Sequence, residues 1–322
     1  MRWICRAILR YFPDNLPVTT LDLQFGIHTA FHAAKKLIMQ AASKSSLQEL
    51  HLAILAASFT LPDEIFSIDY LEIDDVPCLR YYDARGITLR RPVLFKMDTI
   101  GSLRELYLEN VSMDDAFSDM IKSKFPFLES LTLSIKSCRE KIMNIRCVTL
   151  QSLKIQFWEE KQIEVQVYAP KLHSYVYTGC AVPSLLFPTI APKQIKIHLM
   201  LKNPNDHLFF LKMRETLKLS SKFNIVICCV RRGVRLVPFN IDDVRSMVPF
   251  PATNVEQLLF LTVPNEGLWE NSLIFDGVFP ICHPMYVKSD YELRLKVANY
   301  FLKLIVKGVI ENCEEILSIE DG

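Results

Sequence analysis

A six-residue pattern, apolar-x-x-apolar-x-apolar, recurs through the first two thirds of the chain and restricts the possible folds more than any other feature. Its seven clear copies begin 29, 21, 35, 25, 22 and 22 residues apart. Most of these steps match the period of about 20 to 29 residues found in leucine-rich repeats. The copies are Val18-Leu21-Leu23, Leu47-Leu50-Leu52, Ile68-Leu71-Ile73, Leu103-Leu106-Leu108, Leu128-Leu131-Leu133, Leu150-Leu153-Ile155 and Leu172-Tyr175-Tyr177, with a degenerate one at Ile195-Ile197-Leu199.

The spacing inside each copy predicts a short strand. The last two apolar positions lie two residues apart and share one face, whereas the residue between them points to the other face. One unit of about 22 residues cannot bury its apolar side alone, so successive units stack and their strands pair in parallel. The predicted fold class is therefore α/β, a leucine-rich-repeat solenoid with a parallel-strand concave face and a helical or irregular convex side.

Two regions are expected. Residues 1–200 should form the solenoid with an N-terminal cap, and residues 201–322 should add degenerate repeats and a C-terminal helical cap. The spacing of apolar residues predicts a return helix over Asp114–Lys124, further strands over Phe223–Val230 and Val255–Phe260, and a terminal helix from Ser289 to about Cys313. The apolar stripe of that last helix could pack on the core or receive a partner helix.

Charge and hydropathy exclude several classes of function. With 37 basic and 36 acidic residues and no long run of either sign, the chain lacks the footprint of a nucleic-acid binder. The longest apolar stretch near the end, Val297–Ile310, contains two lysines and is too short to span a bilayer. Nine cysteines without a CxxC pair indicate reduced thiols. We expect an intracellular protein, in the cytoplasm or nucleus, that does not bind membranes.

No motif of an active site occurs. The nucleophile elbow, the phosphate-binding loops and the common zinc signatures are absent. Cys228-Cys229 and Cys282-His283 come closest to a metal site, but tetrahedral zinc needs four converging ligands. We therefore predict no enzyme activity, no cofactor and no metal.

The residues that alternate with the core positions are the candidate binding surface. They point away from the core and mix aromatic with charged side chains, as recognition surfaces often do. The predicted protein-binding residues are Glu49, His51, Tyr70, Glu72, Glu105, Tyr107, Glu109, Lys154, Gln156 and Trp158. Trp158 should face outward because Ile155 and Phe157 face inward, although packing beneath a loop would explain it equally well.

Three stretches carry a resemblance to plant F-box/LRR proteins. They are Ser102-Leu103-Arg104-Glu105-Leu106-Tyr107-Leu108, Phe127-Leu128-Glu129-Ser130-Leu131-Thr132-Leu133 and Ala169-Pro170-Lys171-Leu172-His173-Ser174-Tyr175-Val176-Tyr177-Thr178-Gly179. The last is the most telling, since an Ala-Pro pair commonly leads into the strand in that family and a glycine closes it. The similarity covers residues 1–200 well.

The resemblance implies a substrate receptor of an SCF-type ubiquitin ligase, in which an F-box docks the Skp adaptor and the repeats hold a target protein. No F-box is recognisable in this sequence. The stretch Leu61–Ile65 opens like one, but the acidic residues after it and Pro77 interrupt the helix that should follow. A Skp partner is thus expected only if a substitute docking surface exists. The alternative is a structural or decoy repeat protein without a ligase role.

Overall fold

Parallel strands dominate the part of the chain that can be described. The computed structural model describes residues 20–25, 49–54, 81–85, 103–113, 115–138, 141–159, 163–201, 207–229, 246–248, 250–262 and 277–289. The chain divides into two units, the first comprising residues 1–156, 166–172 and 187–189, the second residues 157–165, 173–186 and 190–322. Within the described residues the fold is mixed α/β, with few helices and no closed barrel.

In the larger sheet, the strands of unit 1 lie side by side in the order in which they follow one another along the chain. They are β1 (Thr20–Phe25), β2 (Glu49–Ile54), β3 (Tyr81–Arg85), β4 (Glu105–Met113), β5 (Ser130–Cys138) and β7 (Ser152–Phe157), and the order of neighbours is β1-β2-β3-β4-β5-β7. The pairs from β1 to β5 are parallel. This arrangement confirms the predicted parallel strands at the hexads beginning at Val18, Leu47, Leu103 and Leu128. It also confirms a strand at the hexad beginning at Leu150, next to β5 in the sheet.

Burial alternates along these strands as the hexads predict. In β4, Leu106 and Leu108 are buried. Glu105, just before them, is exposed, and Tyr107, between them, is half-buried. The same register continues in β5, where Leu131 and Leu133 are the partners of Leu106 and Leu108. Each strand thus adds two leucine-type side chains to one continuous apolar layer, and each fully buried leucine stabilises the fold by about 1.5 to 3 kcal/mol.

The strands of unit 2 also pair in parallel. They are β9 (Ser174–Gly179), β11 (Gln194–Leu201), β12 (Lys222–Cys229), β13 (Val255–Thr262) and β14 (Tyr286–Ser289), in that order of neighbours. The strands predicted at the hexad beginning at Leu172 and at its degenerate copy beginning at Ile195 are therefore confirmed as β9 and β11. The expected strands at Phe223 and Val255 are confirmed as well. The register shifts between Phe223 and Asn224, where β12 meets β13.

The segments between these strands are partly helical. The expected return helix is present as α1 (Asp115–Lys124), with Ile121 buried, and a second helix, α2 (His207–Leu217), precedes β12. The other return segments contain short strands that the sequence did not predict: β6 (Ile142–Arg146), β8 (Glu164–Tyr168) and β10 (Ser184–Leu186). In unit 1, β6 lies beside the end of β8, and the Cys147 amide donates to the Tyr168 carbonyl at 3.1 Å.

Polar side chains fasten the turn before a strand to a neighbouring turn. The Thr149 hydroxyl lies 2.8 Å from the Leu128 carbonyl and 3.1 Å from that of Pro126. In unit 2, Ser220 Oγ lies 2.8 Å from the Pro192 carbonyl, and Asn254 Nδ2 donates to the Leu217 carbonyl at 2.7 Å. We call these hydrogen bonds the turn ties. They satisfy carbonyls that a turn would otherwise leave unpaired.

Two predictions concern residues outside this description. The hexad at Ile68–Ile73 and the terminal helix from Ser289 to Cys313 lie outside the described residues, except for Ser289, which ends β14. The division near residue 200 stays a prediction about where the repeat becomes irregular.

Candidate protein-binding surface

Parallel pairing in unit 1 aligns the residues that alternate with the core positions into two columns. The first column holds the register positions of Thr20, Glu49, Tyr81, Glu105 and Ser130, and the second holds Asp22, His51, Asp83, Tyr107 and Thr132. We call these the outward columns. Since paired strands lie about 4.8 Å apart, Glu49 and Glu105 are separated by roughly 10 Å at the backbone.

The described side chains of the outward columns are accessible. In β4, Glu105 is exposed and Tyr107 is half-buried, and in β5 both Ser130 and Thr132 are half-buried. These positions offer a carboxylate, a phenol ring and two hydroxyls, all of which can form hydrogen bonds with a partner. Tyrosine is among the residues enriched at the centre of protein interfaces.

Acidic residues recur in the outward columns. Four positions carry carboxylates, namely Asp22, Glu49, Asp83 and Glu105. The columns themselves contain no lysine or arginine among the described strands β1 to β5. Of these four residues, Glu105 has a described side chain, and it is exposed.

An arginine, Arg104, directly precedes β4. Arg104 lies over the Phe127 ring at 5.1 Å from its centre, and its Nε lies 3.5 Å from a Glu129 carboxylate oxygen. Phe127 is 52 % exposed. Such an exposed cation–π contact contributes about 0.5 to 1 kcal/mol. It holds an aromatic ring at the surface next to the columns.

Seven of the ten predicted residues lie on the described strands of unit 1. Glu49, His51, Glu105 and Tyr107 share the outward columns, and Lys154 and Gln156 occupy half-buried positions of β7 that alternate with buried ones. The backbone of Glu109 belongs to β4. Tyr70 and Glu72 lie outside the described residues.

Trp158 belongs to unit 2 and follows the end of β7. Its side chain is 45 % exposed, and its carbonyl accepts a hydrogen bond from the Cys180 thiol at 3.4 Å. The predicted outward position of Trp158 thus corresponds to an accessible indole. No contact in the structure assigns it a ligand.

Sequence reasoning missed six members of the columns, namely Thr20, Asp22, Tyr81, Asp83, Ser130 and Thr132. Asp22 belongs to a hexad that was recognised, but it was not named among the binding residues. Tyr81 and Asp83 lie on β3, a strand that was not predicted. The signal for β3 was present as Leu79-x-x-Tyr82-x-Ala84, in which tyrosine and alanine replace the usual leucines.

The groups with clearly shifted pKa values lie elsewhere, mostly in the core of unit 2. Burial raises the pKa of the Tyr175 and Tyr177 phenols, and it raises the pKa of the Cys282 thiol to about 12. Burial lowers the pKa of His283. The loss of hydration around each group is the main cause, and the Arg214 charge partly opposes it at Cys282.

The described residues contain no cluster of three or more histidine, cysteine, aspartate or glutamate side chains able to hold a metal ion. Neither described helix has the length and apolar character required to cross a membrane. We found no family model that matches the chain, and neither a curated protein nor a solved structure matches it.

Proposed function

We propose that this chain is a leucine-rich-repeat module that binds another protein on the outward columns of unit 1. The observation that carries the proposal is the register of β1 to β5. Pairing places the residues between core positions side by side, one strand after another, at matching register positions. A solenoid of stacked repeats uses such a face for recognition.

The chemistry of the columns supports a protein partner. Tyr107 offers a half-buried aromatic ring, and Glu105 lies two residues before it on the same strand. Aromatic anchors surrounded by polar groups contribute most of the binding energy at many interfaces. A partner with a basic contact surface would satisfy the carboxylates of the columns.

We further propose that the module derives from a substrate receptor of an SCF-type ubiquitin ligase. The support for this step is the resemblance of residues 1–200 to plant F-box/LRR proteins. The purified Skp adaptor should bind a version of the chain with an F-box grafted before Met1. Binding of the adaptor by the native chain would identify a substitute docking surface, whereas binding by the graft alone would favour a structural or decoy repeat protein.

A site-specific photo-crosslinker tests the binding surface directly. We expect a crosslinker at Tyr107 and one at Lys154 to capture the same polypeptide, and one at Lys171, an exposed loop residue of unit 1, to leave it uncaptured. The captured protein, once purified, should bind about tenfold more weakly to a Tyr107→Ala variant. Equal capture at all three positions, or unchanged affinity of the variant, would contradict the proposed surface.

A further inference from the structure

A second surface of unit 1 has the properties of a docking site. A cavity of about 640 Å³ opens among the return segments, between the end of α1, β6 and the end of β8. Apolar side chains form most of its wall, among them Phe125, Val148 and Tyr168. We call it the α1–β6 groove. Its residues are distinct from those of the outward columns.

Two cations line the same groove. Lys122 comes from the last turn of α1, and Arg146 ends β6. Both side chains are exposed, and neither forms an ion pair or a hydrogen bond in the structure as described. Among the described residues that line the groove there is no aspartate or glutamate. The groove is therefore apolar with an uncompensated positive charge.

Part of the groove wall lies at the protein surface. Val148 is 56 % exposed and Tyr168 is 44 % exposed. An extended peptide can use such a wall because it lies along the surface and inserts only alternate side chains.

We propose that the α1–β6 groove binds an acidic peptide segment of a partner protein. One aromatic or long aliphatic side chain of the peptide packs against Phe125, Val148 and Tyr168, and carboxylates on either side of it meet Lys122 and Arg146. The arginine can bind a carboxylate through two parallel hydrogen bonds, which fixes the direction of the group. Charge attracts the peptide, and the apolar wall selects its anchor.

The probe is a fluorescein-labelled peptide of about ten residues, with one phenylalanine flanked by glutamates, followed by fluorescence anisotropy. Two companion peptides replace the phenylalanine by glycine or all glutamates by lysine. The full chain should bind the acidic aromatic peptide with a Kd of tens of micromolar at about 50 mM salt. The affinity should fall several-fold at about 500 mM salt because the charges are screened.

A charge swap gives the sharpest result. The double variant Lys122→Glu, Arg146→Glu should bind the acidic peptide at least tenfold more weakly than the unmodified chain does. It should bind the lysine peptide more tightly than the unmodified chain does. A Lys171→Glu variant changes the net charge at an exposed position that does not line the groove, and its affinity should remain within about twofold. Far-ultraviolet circular dichroism of each variant verifies that the fold is retained.

Three results would overturn the proposal. The first is no binding of the acidic aromatic peptide by the unmodified chain. The second is equal binding of the glycine peptide, which would reduce the effect to charge alone. The third is full displacement of the peptide by an equal concentration of phenylacetate, which would make a small organic anion the ligand. Since the outward columns are not altered in any variant, these outcomes are independent of the proposed function.

Discussion

Replacing Gly179 by alanine should destabilise unit 2 because the Tyr177 ring occupies the space of the new methyl group. A Cβ atom at this position would meet the Phe157 carbonyl oxygen at 2.7 Å and Tyr177 Cζ at 2.7 Å, with the phenol oxygen closer still. Ordinary contacts to a methyl group lie at about 3.5 to 4 Å, so these neighbours must move by about 1 Å. Tyr177 is buried and cannot swing into solvent. We expect a loss of about 2 to 3 kcal/mol in the free energy of unfolding.

Urea denaturation followed by circular dichroism measures this loss. Ser174→Ala, at a half-buried position of the same strand, is the control and should change stability by less than about 0.5 kcal/mol. In a Tyr177→Phe background the phenol oxygen is gone, so Gly179→Ala should cost about 1 kcal/mol less than in the unmodified chain. A Gly179→Ala protein as stable as the parent would refute the close approach of Tyr177.

Two further predictions concern the turn ties and the core thiol. Thr149→Val should destabilise unit 1 by about 1 to 2 kcal/mol in urea, because the Leu128 and Pro126 carbonyls lose their hydroxyl donor, whereas Thr149→Ser should lose less than about half of that. The buried Cys282 thiol keeps its proton in the folded state up to a pKa of about 12, while the unfolded chain releases it near pH 9. The contribution of this thiol to stability should therefore be full below about pH 9 and fall by roughly 1 kcal/mol by pH 10. Urea denaturation across that range measures the decline, and Cys282→Ala should remove this part of it.

Leucine spacing predicted the strands well where the apolar positions are large. The hexads at Leu103, Leu128 and Leu150 correspond to β4, β5 and β7, because only one register buries both leucines of each strand. The strand β3 was missed for the opposite reason. Tyr82 and Ala84 stand at the register positions of leucines, and neither residue signals a buried strand on its own.

Short strands in the return segments could not be predicted from local pattern. Met143 and Ile145 alternate in β6 as a strand requires, but five residues with two apolar positions occur in many contexts. The candidate site was predictable only as far as the strands were. Glu105 and Tyr107 followed from their hexad, whereas the α1–β6 groove depends on tertiary packing that brings Lys122 and Arg146 together.

The turn ties connect residues a few tens of positions apart in a chain of 322 residues. The partners of Thr149, Ser220 and Asn254 lie 21, 28 and 37 residues away. Each tie therefore closes a loop of 21 to 37 residues. The entropic cost of closing a loop rises only slowly with its length, so the three ties cost similar amounts. Since the longest of these three ties spans 37 residues, they can form without a search along the whole chain. An insertion in a return segment would lengthen a single loop and leave the next tie intact.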